Sequence, residues 1–230
     1  MFNKLKLLFT STHSDNAEYF EELKPGERIR KVIEVFILPE LETFGFKMSK
    51  SSLTLTRNLG DFEQEIYFPK NKWNNGNQIV SFDIIFSVKS IKYKSWHQKK
   101  YGYKTTLSSV YWKRAYEIPD WSKEFFENWN YDLANTDNKK LITILKDNII
   151  NKAIPQLNSV SNYRGAIEYP LKENSFYYKA PMLIDFALIL DDLKLANQIL
   201  NWYLEFVKTS NAKFIEELKN EIENRKNIIS

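Results

Sequence analysis

Histidine is the first residue type to consider for catalysis in this sequence of 230 residues, which contains no cysteine. A nucleophile–histidine–acid arrangement would have to use His13 or His97, because the chain has two histidines. His13 lies in a polar N-terminal stretch and His97 in a basic one, so both are interpreted as exposed surface histidines. The missing cysteines also exclude thiol catalysis and a disulfide scaffold.

Carboxylates could supply metal chemistry instead. Asp120, followed by Asp137 and Lys139, loosely mimics a nuclease pattern of one acid and then acid-x-Lys. Both acids stand where helix N-caps are expected, and Glu63 and Glu65 are expected to face solvent from a strand. Six scattered glycines form no phosphate-binding loop. The sequence therefore predicts no enzyme, no cofactor and no metal site.

Charge is distributed unevenly along the chain. The net charge is +4, from 33 basic and 29 acidic residues, yet residues 84–116 contain no acid and carry +8, which leaves −4 elsewhere. Within this window, residues 89–104 interleave lysines with aromatic rings, and we call them the basic-aromatic segment. Its candidate binding residues are Lys89, Lys92, Tyr93, Lys94, Trp96, Lys99, Lys100, Tyr101 and Lys104, and Trp73 in the loop 69–77 is a further candidate.

Three interpretations of the basic-aromatic segment remain open. Charge steers encounter and aromatic residues anchor interfaces, so the segment suits an acidic protein partner. Cations for phosphates and rings for bases would also suit single-stranded nucleic acid, which we place second. The third interpretation is an exposed hairpin edge whose lysines only prevent aggregation. Oligomeric state is left open by the sequence.

No segment has the apolar length of a signal peptide core or of a membrane span. The sequence therefore predicts a cytoplasmic location and no membrane partner. Apolar residues make up 43% of the chain and aromatic residues 15%, which excludes disordered and collagen-like classes.

Hydrophobic periodicity predicts the elements that would position these residues. A helical stripe covers residues 27–44, with a kink or break expected near Pro39, and Ser14 or Asp15 caps a short helix before it. Alternation predicts antiparallel strands over the following ranges. These are 53–56, 62–68, 80–88 and a β-rich stretch within 103–118.

The helical period returns after the strands. Asp120 and Asp137 are the expected N-caps of two helices, and two or three more helices follow Pro181, the last of them after Asn211. Asp191 and Asp192 are expected in a turn. Trp112 and Trp121 are predicted core residues, whereas Trp73 is expected to fold back over the sheet edge.

These elements predict an α+β fold. An N-terminal amphipathic helix packs on one face of an antiparallel sheet of about five strands. We assign residues 1–135 to an α+β domain. Residues 136–230 form a helical C-terminal region, which either docks on the same core or makes a small second domain.

Three features of residues 27–160 stand in a suggestive order: Leu-x-x-x-Gly-Phe-Lys at 41–47, the alternating strand 80–88 and Tyr-Trp-Lys-Arg at 111–114. Through them the chain resembles the bacterial family called domain of unknown function 4304. This resemblance implies an α+β fold and no established activity. By analogy it also implies kinship with small proteins found around bacterial toxin–immunity systems. The functional hypothesis is therefore a non-catalytic, immunity-like interaction protein that binds an acidic partner through the basic-aromatic segment, which is predicted to form a hairpin.

Overall fold

A computed structural model of the protein describes residues 19–76, 78–173 and 179–209, together with residues 224, 225 and 228. The helices predicted after Ser14 or Asp15 and after Asn211 lie outside the described residues, and so does His13.

The predicted α+β fold with a five-stranded antiparallel sheet is confirmed. The sheet has the order β1-β2-β3-β5-β6, and β4 pairs with β7 in a separate two-stranded sheet. The strands are β1 (Lys47–Met48), β2 (Thr54–Leu59), β3 (Phe62–Tyr67), β4 (Ser81–Phe82), β5 (Ile85–Ser90), β6 (Ser109–Arg114) and β7 (Tyr131–Asp132).

Helices precede the sheet and follow it. The α-helices are α1 (Pro25–Val32), α2 (Leu38–Glu42), α3 (Tyr93–Tyr101), α4 (Asn138–Asn148), α5 (Ile154–Val160), α6 (Tyr163–Glu173), α7 (Ala180–Ile189) and α8 (Leu193–Thr209). Two π-helical turns, Ile33–Ile37 and Ile149–Ala153, join α1 to α2 and α4 to α5. A short 3₁₀ turn, Ala115–Glu117, follows β6.

The predicted disturbance near Pro39 takes the form of a π-helical turn rather than a break. The N–H of Leu38 donates to the carbonyl of Ile33, five residues earlier. In a regular α-helix the proline ring would clash with the carbonyl four residues before it, and the wider turn removes that clash. The same arrangement precedes Pro155, where the N–H of Ile154 donates to Ile149.

The predicted strand 80–88 is divided between the two sheets. Its alternating apolar residues are buried, as predicted. They are Val80, Phe82, Ile84, Phe86 and Val88. The chain leaves one sheet for the other at Asp83, whose carboxylate accepts a hydrogen bond from the Ile84 N–H at 2.7 Å. The prediction of a single continuous strand is therefore wrong, although the prediction of its buried face is confirmed.

The prediction of a helix that begins after Asp120 is wrong. Glu127 and Asn130 exchange both backbone hydrogen bonds, at 3.0 and 2.9 Å, and so close a two-residue hairpin turn. Asn128 and Trp129 between them have φ angles of 47° and 67°, the two positive values that a type I′ turn requires. Trp121 is buried and Phe125 half-buried, whereas Trp129 is exposed, so the four-residue spacing of these rings is not the stripe of a helix.

The structure tests the predicted positions of three tryptophans. Trp121 is 5% exposed, so its core placement is confirmed. Trp112 is 47% exposed, because it follows the buried Tyr111 on edge strand β6 and therefore points to the opposite face. Trp73 is 70% exposed and does not fold back over the sheet edge, contrary to the prediction.

The buried residues of the sheet and of the C-terminal helices belong to one apolar core. Helix α5 contacts both β5 and β6, and α7 packs between α6 and α8. Asp137 is the N-cap of α4, as predicted, because its carboxylate accepts from the Lys140 N–H at 3.0 Å. Asp192 likewise accepts from the Leu195 N–H at 2.9 Å, within the turn predicted at 191–192.

Candidate functional site

The basic-aromatic segment forms a helix in its central part. Residues Tyr93–Tyr101 are α3, and Gly102 ends the helix with a φ angle of 82°. The predicted hairpin is therefore wrong. Tyr93, His97 and Tyr101 recur every four residues, so one side of the helix can turn these rings towards the core. That spacing was visible in the sequence, but the lysines between the rings obscured it.

The aromatic rings of α3 point inward. Tyr93 is fully buried, and His97 is 1% exposed, so the prediction that His97 is a surface histidine is wrong. The Nδ1 atom of His97 lies 3.1 Å from the carbonyl oxygen of Tyr103. Trp96 is half-buried and stacks on Tyr93 with a ring separation of 6.4 Å. The predicted binding residue Tyr93 therefore contributes to the core instead of the surface, and Tyr101 is half-buried.

A buried carboxylate holds this aromatic face. Asp185 of α7 is completely buried and accepts hydrogen bonds from the hydroxyls of Tyr93, at 2.7 Å, and Tyr101, at 2.6 Å. The guanidinium of Arg225 donates to both oxygens of Asp185, at 2.9 and 2.6 Å. It also lies 4.9 Å from the centroid of the Tyr101 ring. We call these four residues the Asp185 cluster.

The two tyrosines and the arginine of the Asp185 cluster keep their protonation states across the physiological pH range. Burial and the negative charge of Asp185 raise the pKa of the Tyr93 and Tyr101 hydroxyls far above the usual value. Burial alone would lower the pKa of Arg225, but attraction to Asp185 outweighs it and raises that pKa. The tyrosines therefore stay neutral donors while the arginine stays charged, and the cluster fixes α3 to α7 and to residue 225.

Sequence reasoning missed the Asp185 cluster. Asp185 is the single charged residue in the apolar helix Ala180–Ile189, which is a signal of a buried partner. Its partners, however, lie 92, 84 and 40 residues away in sequence. The pattern along the chain does not reveal such distant pairings.

Two of the predicted binding lysines are ion-paired. Lys89 on β5 places its Nζ 2.6 Å from Glu63 and 2.8 Å from Glu65, both on the neighbouring strand β3. Lys92 lies 2.5 Å from Asp61. The hydrogen bond from Lys92 is the main reason why the pKa of Asp61 falls below its usual value. The window contains no acidic residue in sequence, but in the folded protein two of its lysines pair with acidic residues of β3 and of the turn that precedes it.

The structure leaves a smaller set of unpaired cations. They are exposed and form no ion pair with any other described residue. This set, which we call the lysine face, comprises Lys94, Lys99, Lys100 and Lys104. The first three lie on α3, where Lys99 is opposite the aromatic side and Lys94 and Lys100 lie on its two flanks. Trp73 belongs to a different surface, a groove shared with Ser81 and Asp132.

The pattern of Asp120, Asp137 and Lys139 does not extend to a metal-binding cluster. Within the described ranges, no three side chains of the His, Asp or Glu type are grouped closely enough to hold a metal ion. Asp120 has a φ angle of 58° in a turn, so its predicted role as an N-cap is wrong. No helix in the described part of the chain combines the length and the apolar character of a membrane span.

Comparisons of the chain with protein-family models, with curated proteins and with solved structures give no match.

Proposed function

We propose that this is a non-catalytic interaction protein whose lysine face binds an acidic protein partner. The observation that carries the proposal is a set of four exposed lysines that pair with no acid in the described part of the chain, three of them on one short helix. The Asp185 cluster holds that helix from below, so the lysines are presented on a fixed backbone. Pre-organisation of this kind lowers the entropy cost of binding, and a cluster of like charge accelerates encounter with an acidic surface.

The orientation of the rings favours a protein partner over nucleic acid. Proteins that bind single strands stack successive bases on exposed aromatic rings. On α3, Tyr93 is buried and the Tyr101 ring lies under the Arg225 guanidinium, which leaves the half-buried Trp96. A flat acidic protein surface needs no stacking platform. Following the family resemblance, toxin-like proteins encoded next to this chain are the first partners to test.

Two variants with the same net charge test the proposal. Lys→Glu changes at 94, 99 and 100 remove the lysine face of α3, and the same changes at 31, 50 and 123 alter three exposed lysines elsewhere. Both variants carry a net charge of −2 instead of +4. Lys92 is left intact because its pairing with Asp61 would confuse a local structural effect with a binding effect.

The purified protein is titrated with each neighbouring gene product and, separately, with a single-stranded oligonucleotide. We expect one acidic protein to bind, with affinity reduced at least about tenfold in the α3 variant and little changed in the matched variant. Equal binding by wild type and the α3 variant, or no binding by any neighbouring product, would overturn the proposal. Tight oligonucleotide binding that falls steeply with salt would favour the nucleic-acid alternative instead.

A further inference from the structure

A polar groove lies between two parts of the chain. One is the loop that follows β3, and the other consists of the two loops on either side of β7. The volume of the groove is about 400 Å³. We call it the amide groove because four of its lining residues are asparagines. The lining residues are Asn71, Trp73, Ile79, Ser81, Phe125, Glu127, Asn128, Asn130, Asp132, Asn135 and Thr136.

The lining of the amide groove has an unusual composition. It combines the exposed indole of Trp73 and the half-buried ring of Phe125 with carboxamides, hydroxyls and the carboxylates of Glu127 and Asp132. Among the described residues that line it there is no lysine or arginine. Lys72 places its Nζ 4.9 Å from the centroid of the Trp73 ring but does not line the groove. An anionic ligand would find no lining cation here, whereas a neutral ligand with many hydroxyl groups would find amide donors and acceptors.

Some of the polar groups in the groove are structural. The carboxylate of Asp132 accepts from the Val80 and Ala134 N–H groups, at 3.0 and 2.9 Å, and from the Asn135 amide at 2.7 Å. Three of its acceptor sites therefore serve the fold. Glu127 and Asn128 are different, because both are exposed and neither side chain has a hydrogen-bond partner among the described residues. They are available to a ligand.

The turn that carries Asn128 also holds an indole in a strained conformation. Trp129 is 60% exposed and has a φ angle of 67°, at a turn position where glycine is strongly preferred. Its ring contacts Tyr116 edge-on at 4.9 Å, yet most of the indole remains in solvent. The type I′ turn requires this φ angle, and its residues Asn128 and Asn130 form one wall of the groove.

We propose that the amide groove binds a neutral saccharide. The exposed indole of Trp73 offers a flat apolar surface for the C–H face of a pyranose ring. The Glu127 carboxylate and the Asn128 amide can each bond two adjacent hydroxyl groups, since a planar group with two polar atoms matches their spacing. The site is separate from the lysine face, so this inference goes beyond the proposed function and does not depend on it.

Calorimetric titration of the whole chain with three neutral hexasaccharides tests the inference. The probes are cellohexaose, chitohexaose and maltohexaose, and a chondroitin sulfate oligosaccharide serves as the anionic comparison. We expect one neutral probe to bind with a dissociation constant between about 10 μM and about 1 mM. Trp73→Ala should weaken that binding by about tenfold or more, whereas Trp112→Ala, which removes an exposed indole outside the groove, should not.

A second variant separates binding from folding. Asn128→Gly removes the amide but keeps a backbone that accepts the φ angle of 47°, so it should lose affinity without losing thermal stability. Absence of binding by all three neutral probes at about 10 mM would overturn the inference. Binding that Trp73→Ala leaves unchanged, or a preference for the sulfated probe, would overturn it equally.

Discussion

Replacing Arg225 with methionine would leave the Asp185 carboxylate buried without its cation. The two tyrosine hydroxyls would still donate to it, at 2.7 and 2.6 Å, so part of its solvation would remain. Removal of one partner from a buried ion pair lowers the free energy of unfolding by about 3–5 kcal/mol. Because the two hydrogen bonds remain, we expect a loss of about 3 kcal/mol here. For a chain of this size, that loss lowers Tm by about 6–12 °C.

Urea unfolding, followed by circular dichroism, measures this loss as a shift of the midpoint at unchanged slope. Asp185→Leu should cost a similar amount, because it strands the Arg225 guanidinium in the core. The double variant should cost clearly less than the sum, since neither charge is then left unpaired. Tyr101→Phe provides the mild comparison, with an expected loss of about 1 kcal/mol for one hydrogen bond.

A loss of less than about 0.5 kcal/mol for Arg225→Met would refute the reasoning, because that is the usual range for substitutions away from such features. Additive losses in the double variant would also refute it. Either result would show that residue 225 does not neutralise Asp185 in solution.

Three further predictions concern other charged or strained positions. Burial raises the pKa of Asp83, so the folded protein binds its proton more tightly than the unfolded chain does. Its charge therefore destabilises the fold above the folded pKa, and this penalty disappears as the pH falls through that value. Asp83→Asn keeps an acceptor for the Ile84 N–H and removes the buried charge. In urea titrations it should therefore stabilise the protein more at pH 7 than at about pH 4. Equal stabilisation at the two pH values would contradict this prediction. Trp129→Gly should raise stability by about 1 kcal/mol by relieving the positive φ angle, and a loss above about 1 kcal/mol would show that the ring packs more than its exposure suggests. Lys89→Met should cost about 1 kcal/mol at low salt and less at about 1 M NaCl, because two half-buried carboxylates lose a shared, partly screened cation, and a salt-independent loss would exclude this cause.

Parts of the fold were predictable because one face of an element is buried. The alternation of strand β3 predicts its inner face, since Phe62, Gln64 and Ile66 are buried while the residues between them remain partly exposed. The stripe of the N-terminal helix was equally clear, and its proline marked the place where the geometry departs from α-helical. In both cases the pattern depends on neighbours that are close in sequence.

The candidate site was less predictable because it depends on contacts between distant residues. Counting charges along the chain identified an acid-free window but could not show that Asp61, Glu63 and Glu65 lie beside its lysines in space. In the same way, the inward direction of Tyr93 depends on Asp185, 92 residues later. The sequence shows that the basic-aromatic segment is rich in aromatic residues, but it does not show which of their side chains are exposed.

The π-helical turns explain how two helices bury apolar residues that recur strictly every fourth position. At 3.6 residues per turn, a step of four residues advances the side chain by about 40° around the helix axis. Four steps would carry it through about 160°, almost to the opposite side. Both columns nevertheless stay in the core without a gap. They are Ile29, Ile33, Ile37 and Leu41 in the first helix, and Leu141, Leu145, Ile149, Ala153 and Leu157 in the second.

One additional residue in a turn sets the azimuth back by about 100°, the angle that one α-helical residue occupies. This offsets most of the accumulated rotation in each column. The widened turn therefore brings the later side chains of the column back to the side of the helix that faces the core. Pro39 and Pro155 then stand where the correction has just been completed, at the second residue of the helix that resumes. A strict four-residue recurrence of apolar side chains, with a proline two residues before its last member, thus becomes a sequence signature of a helix that is locally unwound to keep one side facing the core.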